Sequence, residues 1–303
     1  MQDATLTWPQ KTREIQNCLI DSTRWDGFKF RDDDIVIATY AKTGTTWTQQ
    51  IVGQLILGGA EGIMAAGFSL WVEVLFRPLP DVIATLDAQT HRRFLKTHLP
   101  LDALVFSPQA KYIYVARDGR DTAWSLYNHH VDFTDQFYER INNAPGRMGP
   151  PLERPKGDIV QYFHEWLNGG GLPLGCAFWE HIQGWWEARR LPNVLLVHFN
   201  HLKADLPGEM RRIAGFLGIE IDEARWRVMV EHCAFEHMKA ESRKVPELEK
   251  LFNGAGNTLF NKGTNGRWRD VLSAADVQKY ERIASERLTP ECAHWVATGE
   301  MAT

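Results

Sequence analysis

The sequence predicts an α/β fold: one domain over residues 1–303, with a central parallel β-sheet flanked by helices. Three observations point there. Short apolar runs rich in β-formers, Ile35–Ile37, Phe94–Thr97, Tyr112–Ala116 and Val194–His198, alternate with longer helix-like stretches. Alternation of this kind favours parallel strands covered on both faces. The first run opens directly into a strand–loop–helix transition that is P-loop-like. With 303 residues, 44% of them hydrophobic, the chain can bury one large core or two modest ones, and no repeat, low-complexity tract or linker divides it.

The elements follow in order. After Ile35, Val36 and Ile37 come Lys42, Thr43, Gly44, Thr45 and Thr46, then a helical pattern through Trp47, Ile51, Val52, Leu55 and Ile56. Free N–H groups at the helix start attract an anion. Gly44 allows close backbone approach, the three threonine hydroxyls add donors and Lys42 adds charge. The loop is not a Walker A motif, because its lysine precedes the glycine by two positions. An ordinary turn with a threonine cap fits the same residues.

In the next segment, Arg93 to Pro100, Lys96 and His98 lie two apart and face one side of an extended chain. At the carboxyl edge of a sheet such a histidine can take a proton near neutral pH. A surface lysine beside a histidine bonded to a loop carbonyl is the plainer reading. Val115 and Ala116 then end a strand, Arg117 begins a loop, and Asp121 or Thr122 is expected to cap a helix through Trp124, Leu126 and Tyr127. Arg117 suits a phosphate and Ser125 can add a hydrogen bond; pairing of Arg117 with Asp118 or Asp121 is the alternative. Asn142 to Gly175 is rich in Pro and Gly, with a short helix expected near Ile159–Leu167. After the Val194–His198 strand, the loop Phe260–Trp268 carries Lys262 and Arg267 among glycines and asparagines; it can close over a phosphate or be a solvated turn. Because ligands of parallel sheets sit beyond the carboxyl ends of the strands, Lys42, His98, Arg117 and Phe199 are expected along one edge.

Composition narrows the function. A net charge of −4 argues against a nucleic-acid surface, so an anion site must be local. No run of about 18 apolar residues appears, and the N-terminus lacks a basic segment followed by an apolar one. The expectation is a soluble, cytoplasmic protein without a membrane partner. Cys18, Cys176, Cys233 and Cys292 are far apart and read as reduced thiols, with no zinc or other metal site. Twelve tryptophans should fill the core or a pocket wall. Phe68, Trp71, Phe76, Phe133, Phe137 and Tyr138 can wall an apolar cavity or simply be core. The pairs His129–His130 and His198/His201 read as structural or surface residues.

Taken jointly and in this order, the segments resemble the cytosolic-type sulfotransferases that use 3′-phosphoadenosine-5′-phosphosulfate (PAPS). That family's phosphosulfate loop reads roughly YPKSGTTW, matched by Tyr40–Trp47 with Ala41 and Thr43 substituted. Its KTHLP is matched identically by Lys96–Pro100, its VARxxxDxxxS by Val115 through Asp121 and Ser125, and its RKGxxGxW by Lys262, Gly263, Gly266 and Trp268. The resemblance spans about residues 25 to 285. It implies sulfuryl transfer from PAPS to a hydroxyl or amine of a small, hydrophobic acceptor, with PAP as product and no metal required. It implies His98 as general base, Lys42 at the leaving phosphate and Lys96 at the sulfuryl oxygens, with Ser125 completing the catalytic group. Residues 42–47 would hold the 5′ end and offer Trp47 to adenine, while Arg117, Ser125, Lys262 and Gly263 would hold the 3′-phosphate. Phe199, Cys233 and Phe235 would line the nucleotide. There are departures: Asn261 stands where the family has an arginine, Phe199 where it has a tyrosine and Cys233 where it has a threonine. The family's dimerisation motif is barely recognisable around Arg269–Gln278, which leaves a homodimer open. A nucleotide kinase would need a Walker A glycine and a magnesium carboxylate, and the first is absent. A module that only senses phosphoadenosine would tolerate any residue at 96 and 98.

Overall fold

In the computed structural model, which describes residues 7–301, four parallel strands are ordered β2-β1-β3-β4. They are β1 (Ile35–Thr39), β2 (Phe94–Thr97), β3 (Lys111–Ala116) and β4 (Val194–His198). Ala38 pairs with Thr97 on one side and Tyr114 on the other, and Ala116 pairs with His198. The strands therefore end almost level. Chain connections leave β1 and β3 in opposite directions, so a topological switch point falls between their carboxyl ends, where such sheets bind ligands.

Period-two alternation sorts the sheet into two cores. Ile35, Ile37, Ile113 and Val197 face α1 (Thr45–Ile56) and the later helix Leu206–Leu217. Val36, Ala38, Tyr112 and Tyr114 face the opposite side, where Tyr114 stacks on Trp185 at 5.2 Å and its hydroxyl lies 3.0 Å from His181 Nδ1. The chain continues from β1 through α1 to α2 (Leu79–Asp87) and, after β3, to α3 (Gly119–Val131) and α4 (Asp135–Asn142). Then come α5 (Ile159–Leu167), with the expected bounds, α6 (Phe178–Glu187) and, after β4, α7 (Phe199–Ala204). Trp25, Trp185 and Trp295 are fully buried, whereas Trp47, Trp71 and Trp124 wall a cavity, so the tryptophans divide between both expected places.

Two expectations need correction or restriction. Helix α3 is capped by Asp118, whose side chain accepts from Arg120 N, rather than by Asp121 or Thr122. An earlier start frees Asp121 to accept from Gly266 N at 2.8 Å instead. Residues 1–6 of the N-terminal segment lie outside the described residues, as do 302 and 303. No described helix is long and apolar enough to cross a membrane, and all four cysteines are free.

A buried ion pair clamps the amino ends of β1 and β2. Arg93, 2% exposed, meets both oxygens of the fully buried Asp34 at 2.7 and 2.5 Å, and reaches Lys29 O and Asp87 as well. Asp34→Ala should leave a buried guanidinium underpaired and lower stability by about 3–5 kcal/mol in denaturant titration.

Candidate active site

The loop after β1 presents free backbone donors at a helix start, chemistry that suits an anion. Gly44 sits at φ 129°, a conformation that favours glycine, and a Cβ there would meet the Phe199 ring at 3.2 Å and Val115 Cγ1 at 3.3 Å. Lys42 is also held at positive φ, 72°, as backbone at ligand loops often is. The N–H groups of residues 44–47 meet no acceptor among the described residues, and the Gly44 cap carries no side chain to satisfy them. Thr45 and Thr46 line the cavity in front of these groups, and Thr45 Oγ1 is 2.7 Å from Thr39 Oγ1. Thr43 does not join them. Its hydroxyl proton is committed to the carbonyls of Tyr40 and Val115 at 2.8 and 2.7 Å, so the expected third donor is spent tying the loop to β3.

His98 follows β2 by one residue. Its Nδ1 lies 2.8 Å from the Thr39 carbonyl and 3.0 Å from Thr39 Oγ1. A ring nitrogen facing a carbonyl must carry the proton, which leaves the Nε2 lone pair for the cavity that His98 lines. Burial, and then the Lys96 charge, hold the imidazole's pKa well below its ordinary value, so it is neutral at pH 7. Behind it the fully buried Glu73 accepts from His98 N at 2.7 Å, Thr97 Oγ1 at 2.9 Å and Trp25 Nε1 at 3.0 Å. Burial pushes that carboxyl's pKa up. Lys96 lies over the Trp71 ring, and burial brings it down to about 8, against which the Glu73 charge works. Lys42 is brought down to about 7 by burial and by the neighbouring charges of Arg117 and Lys96, and its Nζ lies 3.1 Å from His129 Nδ1.

A second cationic cluster lies beyond β3. Arg117 is 8% exposed, stacks 4.3 Å over Phe199 and bonds Asn265 Oδ1 at 3.0 and 2.6 Å. It forms no hydrogen bond or ion pair with Asp118 or Asp121; Arg120 takes Asp118 instead, at 2.6 Å. Ser125, Lys262, Gly263 and Arg267 line the same cavity, with Arg267 over Trp124 at 5.5 Å. Lys203 also reaches this cluster and donates to the Gly263 carbonyl. Gly263 sits at φ 63°, and a Cβ there would strike the Phe235 ring at 2.7 Å. Asn261 and Phe235 line the cavity; Cys233 does not. Its side chain is fully buried, and the residue acts through its carbonyl, which accepts from Trp47 Nε1 at 2.8 Å and fixes that ring.

These groups open on one cavity of about 850 Å³, a size suited to a ligand of drug-like dimensions or larger. Trp71, Phe76, Phe133 and Phe137 wall its other end. Phe68 and Tyr138 take the other reading, as packing residues: Phe68 packs on Phe94, and Tyr138 directs its hydroxyl to His130 O. His198 is structural as expected, bonded to Val296 O, but His129 is a cavity residue. Of the irregular 142–175 stretch only Leu172 lines the cavity.

Sequence reasoning missed His129, Lys203, Asn265 and Glu73. Signals existed for three. His129 follows Ser125 by four on a helix, Lys203 follows Phe199 by four, and Glu73 is a lone acid inside an apolar run. Nothing local marks Asn265. Among the described residues no group of three or more His, Cys, Asp and Glu side chains is placed to hold a metal ion.

A family model described as a sulfotransferase domain matches residues 32–290. A glycolipid sulfotransferase of Mycobacterium bovis is 30% identical, over 96% of each chain. Human sulfotransferase 1C2 is 25% identical, covering 92% of this chain and 93% of its own. Among solved structures, a mouse sulfotransferase complexed with PAP superposes with a TM-score of 0.68 at 22% identity, over 91% of this chain and 92% of that one. A retinol dehydratase in complex with androsterone and inactive cofactor PAP gives 0.70 at 22%, over 89% and 87%. At that identity the two structures speak for the fold.

Proposed function

We propose a function from one premise: the chain belongs to the sulfotransferase family. As one domain, it transfers a sulfuryl group from PAPS to a hydroxyl or amine of a small, largely hydrophobic acceptor. The observation that carries this reading is the convergence on one cavity of four unpartnered N–H groups, Lys42, Lys96 and the free face of His98. The donor fits these residues. Gly44 and Gly263 both hold positive φ where a Cβ would strike a cavity-lining ring, Phe199 or Phe235, and the cavity-lining cations include Lys42, Lys96, Arg117, Lys203, Lys262 and Arg267 in a chain of net charge −4.

When bound, PAPS supplies the sulfuryl group and a phosphate leaving group, a transfer that depends on positioning and fixed charge. The N–H groups of residues 44–47, with the hydroxyls of Thr45 and Thr46, would hold the 5′ end. Arg117, Ser125, Lys262 and Gly263 would hold the 3′-phosphate, with Lys203 and Arg267 supplying the charge that Asn261 lacks. Trp47 and Phe235 would flank the base. His98 Nε2 would take the acceptor's proton, Lys42 would meet negative charge on the departing phosphate, and Lys96 would balance charge on the sulfuryl oxygens. A low imidazole pKa makes a weak base by itself; a polyanion beside it would offset the Lys96 charge and strengthen it. Four free thiols suit a cytoplasmic location.

Two measurements test this. Labelled PAPS incubated with phenols and alcohols, without magnesium, should yield labelled acceptor; binding without transfer across a broad panel would favour a sensor. The pH dependence gives the second. Lys42 near 7 and Lys96 near 8 lose their protons as pH rises through those values, and a bound polyanion raises both. Donor affinity should therefore be full below pH 7, fall above it, and be accompanied by proton uptake near pH 8. Because burial and the Lys96 charge hold the imidazole pKa of the free protein well below its ordinary value, the acid limb of kcat/KM for the donor should lie well below pH 6.5. Calorimetric titration with PAP in buffers of different ionisation enthalpy reads the uptake directly.

A further inference from the structure

From His98 an aromatic wall leads outward to a pair of unmatched guanidiniums. The Trp71 ring stands edge-on to His98 at 4.7 Å, Phe76 lies 6.3 Å beyond Trp71, and the Arg140 guanidinium lies 5.4 Å over Phe76. Arg140 Nε donates to the Phe76 carbonyl at 3.2 Å, which restrains the side chain, and its terminal nitrogens have no acceptor among the described residues. Arg77 is the next residue in the chain. Its carbonyl accepts from Arg24 at 2.7 Å and Pro78 follows, which restrains its backbone. Its own guanidinium has no hydrogen-bond or ion-pair partner among the described residues. Both arginines line the cavity, as does Lys250; Glu247 is the one acid at this end. Both side chains are exposed to solvent at the cavity's rim, and partial burial with the Arg140 charge pulls the Arg77 pKa down.

We propose that Arg77 and Arg140 form an anion subsite at the outer end of the acceptor cavity. The acceptor is then an amphiphile: a hydroxyl at His98, an apolar body along Trp71 and Phe76, and a carboxylate or phosphate monoester on the guanidinium pair. The planar donor forks of two arginines suit either anion. The steps of 4.7, 6.3 and 5.4 Å set the scale of that body, which matches a polycyclic skeleton or a medium alkyl chain and exceeds a simple phenol. The inference rests on the reading of His98 as the reacting end.

The test uses ω-hydroxydodecanoate, its methyl ester and ω-hydroxydodecyl phosphate with the full-length chain. Binding to PAP-saturated protein is read by tryptophan fluorescence, and turnover with PAPS by product formation. Wild type should bind one or both anions about tenfold or more tightly than the ester, and the favoured anion identifies the headgroup. In the double variant R77Q/R140Q the anion-to-ester ratio should fall to near one, while R77K/R140K should retain part of it. A ratio near one in wild type, or a full ratio in the glutamine variant, overturns the subsite. Anion-selective binding without any sulfated product supports the subsite and counts against the sulfuryl-transfer reading alone.

Discussion

His98→Ala is expected to lower kcat by about 10²- to 10⁴-fold while leaving PAP affinity close to that of wild type. The split follows from where the residue stands. Its Nδ1–H is tied to the Thr39 carbonyl, so only Nε2 faces the acceptor, and none of its contacts lies on the phosphate loop's free N–H groups. A residue that merely packed the cavity wall would change acceptor KM instead. Because Glu73 holds the His98 backbone rather than its ring, the alanine variant should keep the β2 end in place. Circular dichroism and a PAP titration check that before the rate is interpreted. Unchanged kcat in the folded variant would remove His98 from the reaction.

Lys42→Met should be nearly as damaging, but in both binding and rate. The lysine lines the cavity beside His129, with Arg117 and Lys96 acting against its charge, and a charge there that meets a developing anion is worth about 10²- to 10³-fold in kcat. Loss of one charged hydrogen bond to the donor adds about 1.5–3 kcal/mol in affinity. The same variant should lose much of the proton uptake expected near pH 8, which separates a titrating lysine from one that only packs. Methionine keeps the stem's length and apolar contacts, so loss of fold is not the expected cause. A Lys42→Met enzyme with wild-type kcat would contradict the leaving-group role.

Strands were legible because burial on both faces demands unbroken apolar runs: β2 and β4 begin and end where the sequence places them, and β3 gains only Lys111. The loop after β1 was legible because Lys, Gly and Thr between a strand and a helix leave few other uses for free N–H groups. Which side chains of a contacting stretch reach the cavity was less legible. Thr43 sits among cavity residues, yet half a turn of loop sends its hydroxyl to the Val115 carbonyl. Cys233 matches a contact position by order, but its thiol points into the core and only its carbonyl serves the site. Phe68 and Tyr138 differ from Phe76 and Phe137 in direction, not type, and direction needs the packed partner. His129 faces the cavity because α3 keeps one face, Asp121, Ser125 and His129, over the switch point. Asn265 takes its place against Arg117, 148 residues away in sequence, only once the Phe260–Trp268 loop docks beside the start of α3.

A crystal structure with PAP bound tests the central claim most directly. The account predicts the 5′-phosphate on the N–H groups of residues 44–47, the 3′-phosphate against Arg117 and Ser125, and His98 Nε2 facing the open space beside the 5′ end. A nucleotide seated away from that loop, or an imidazole turned from it, would contradict the account.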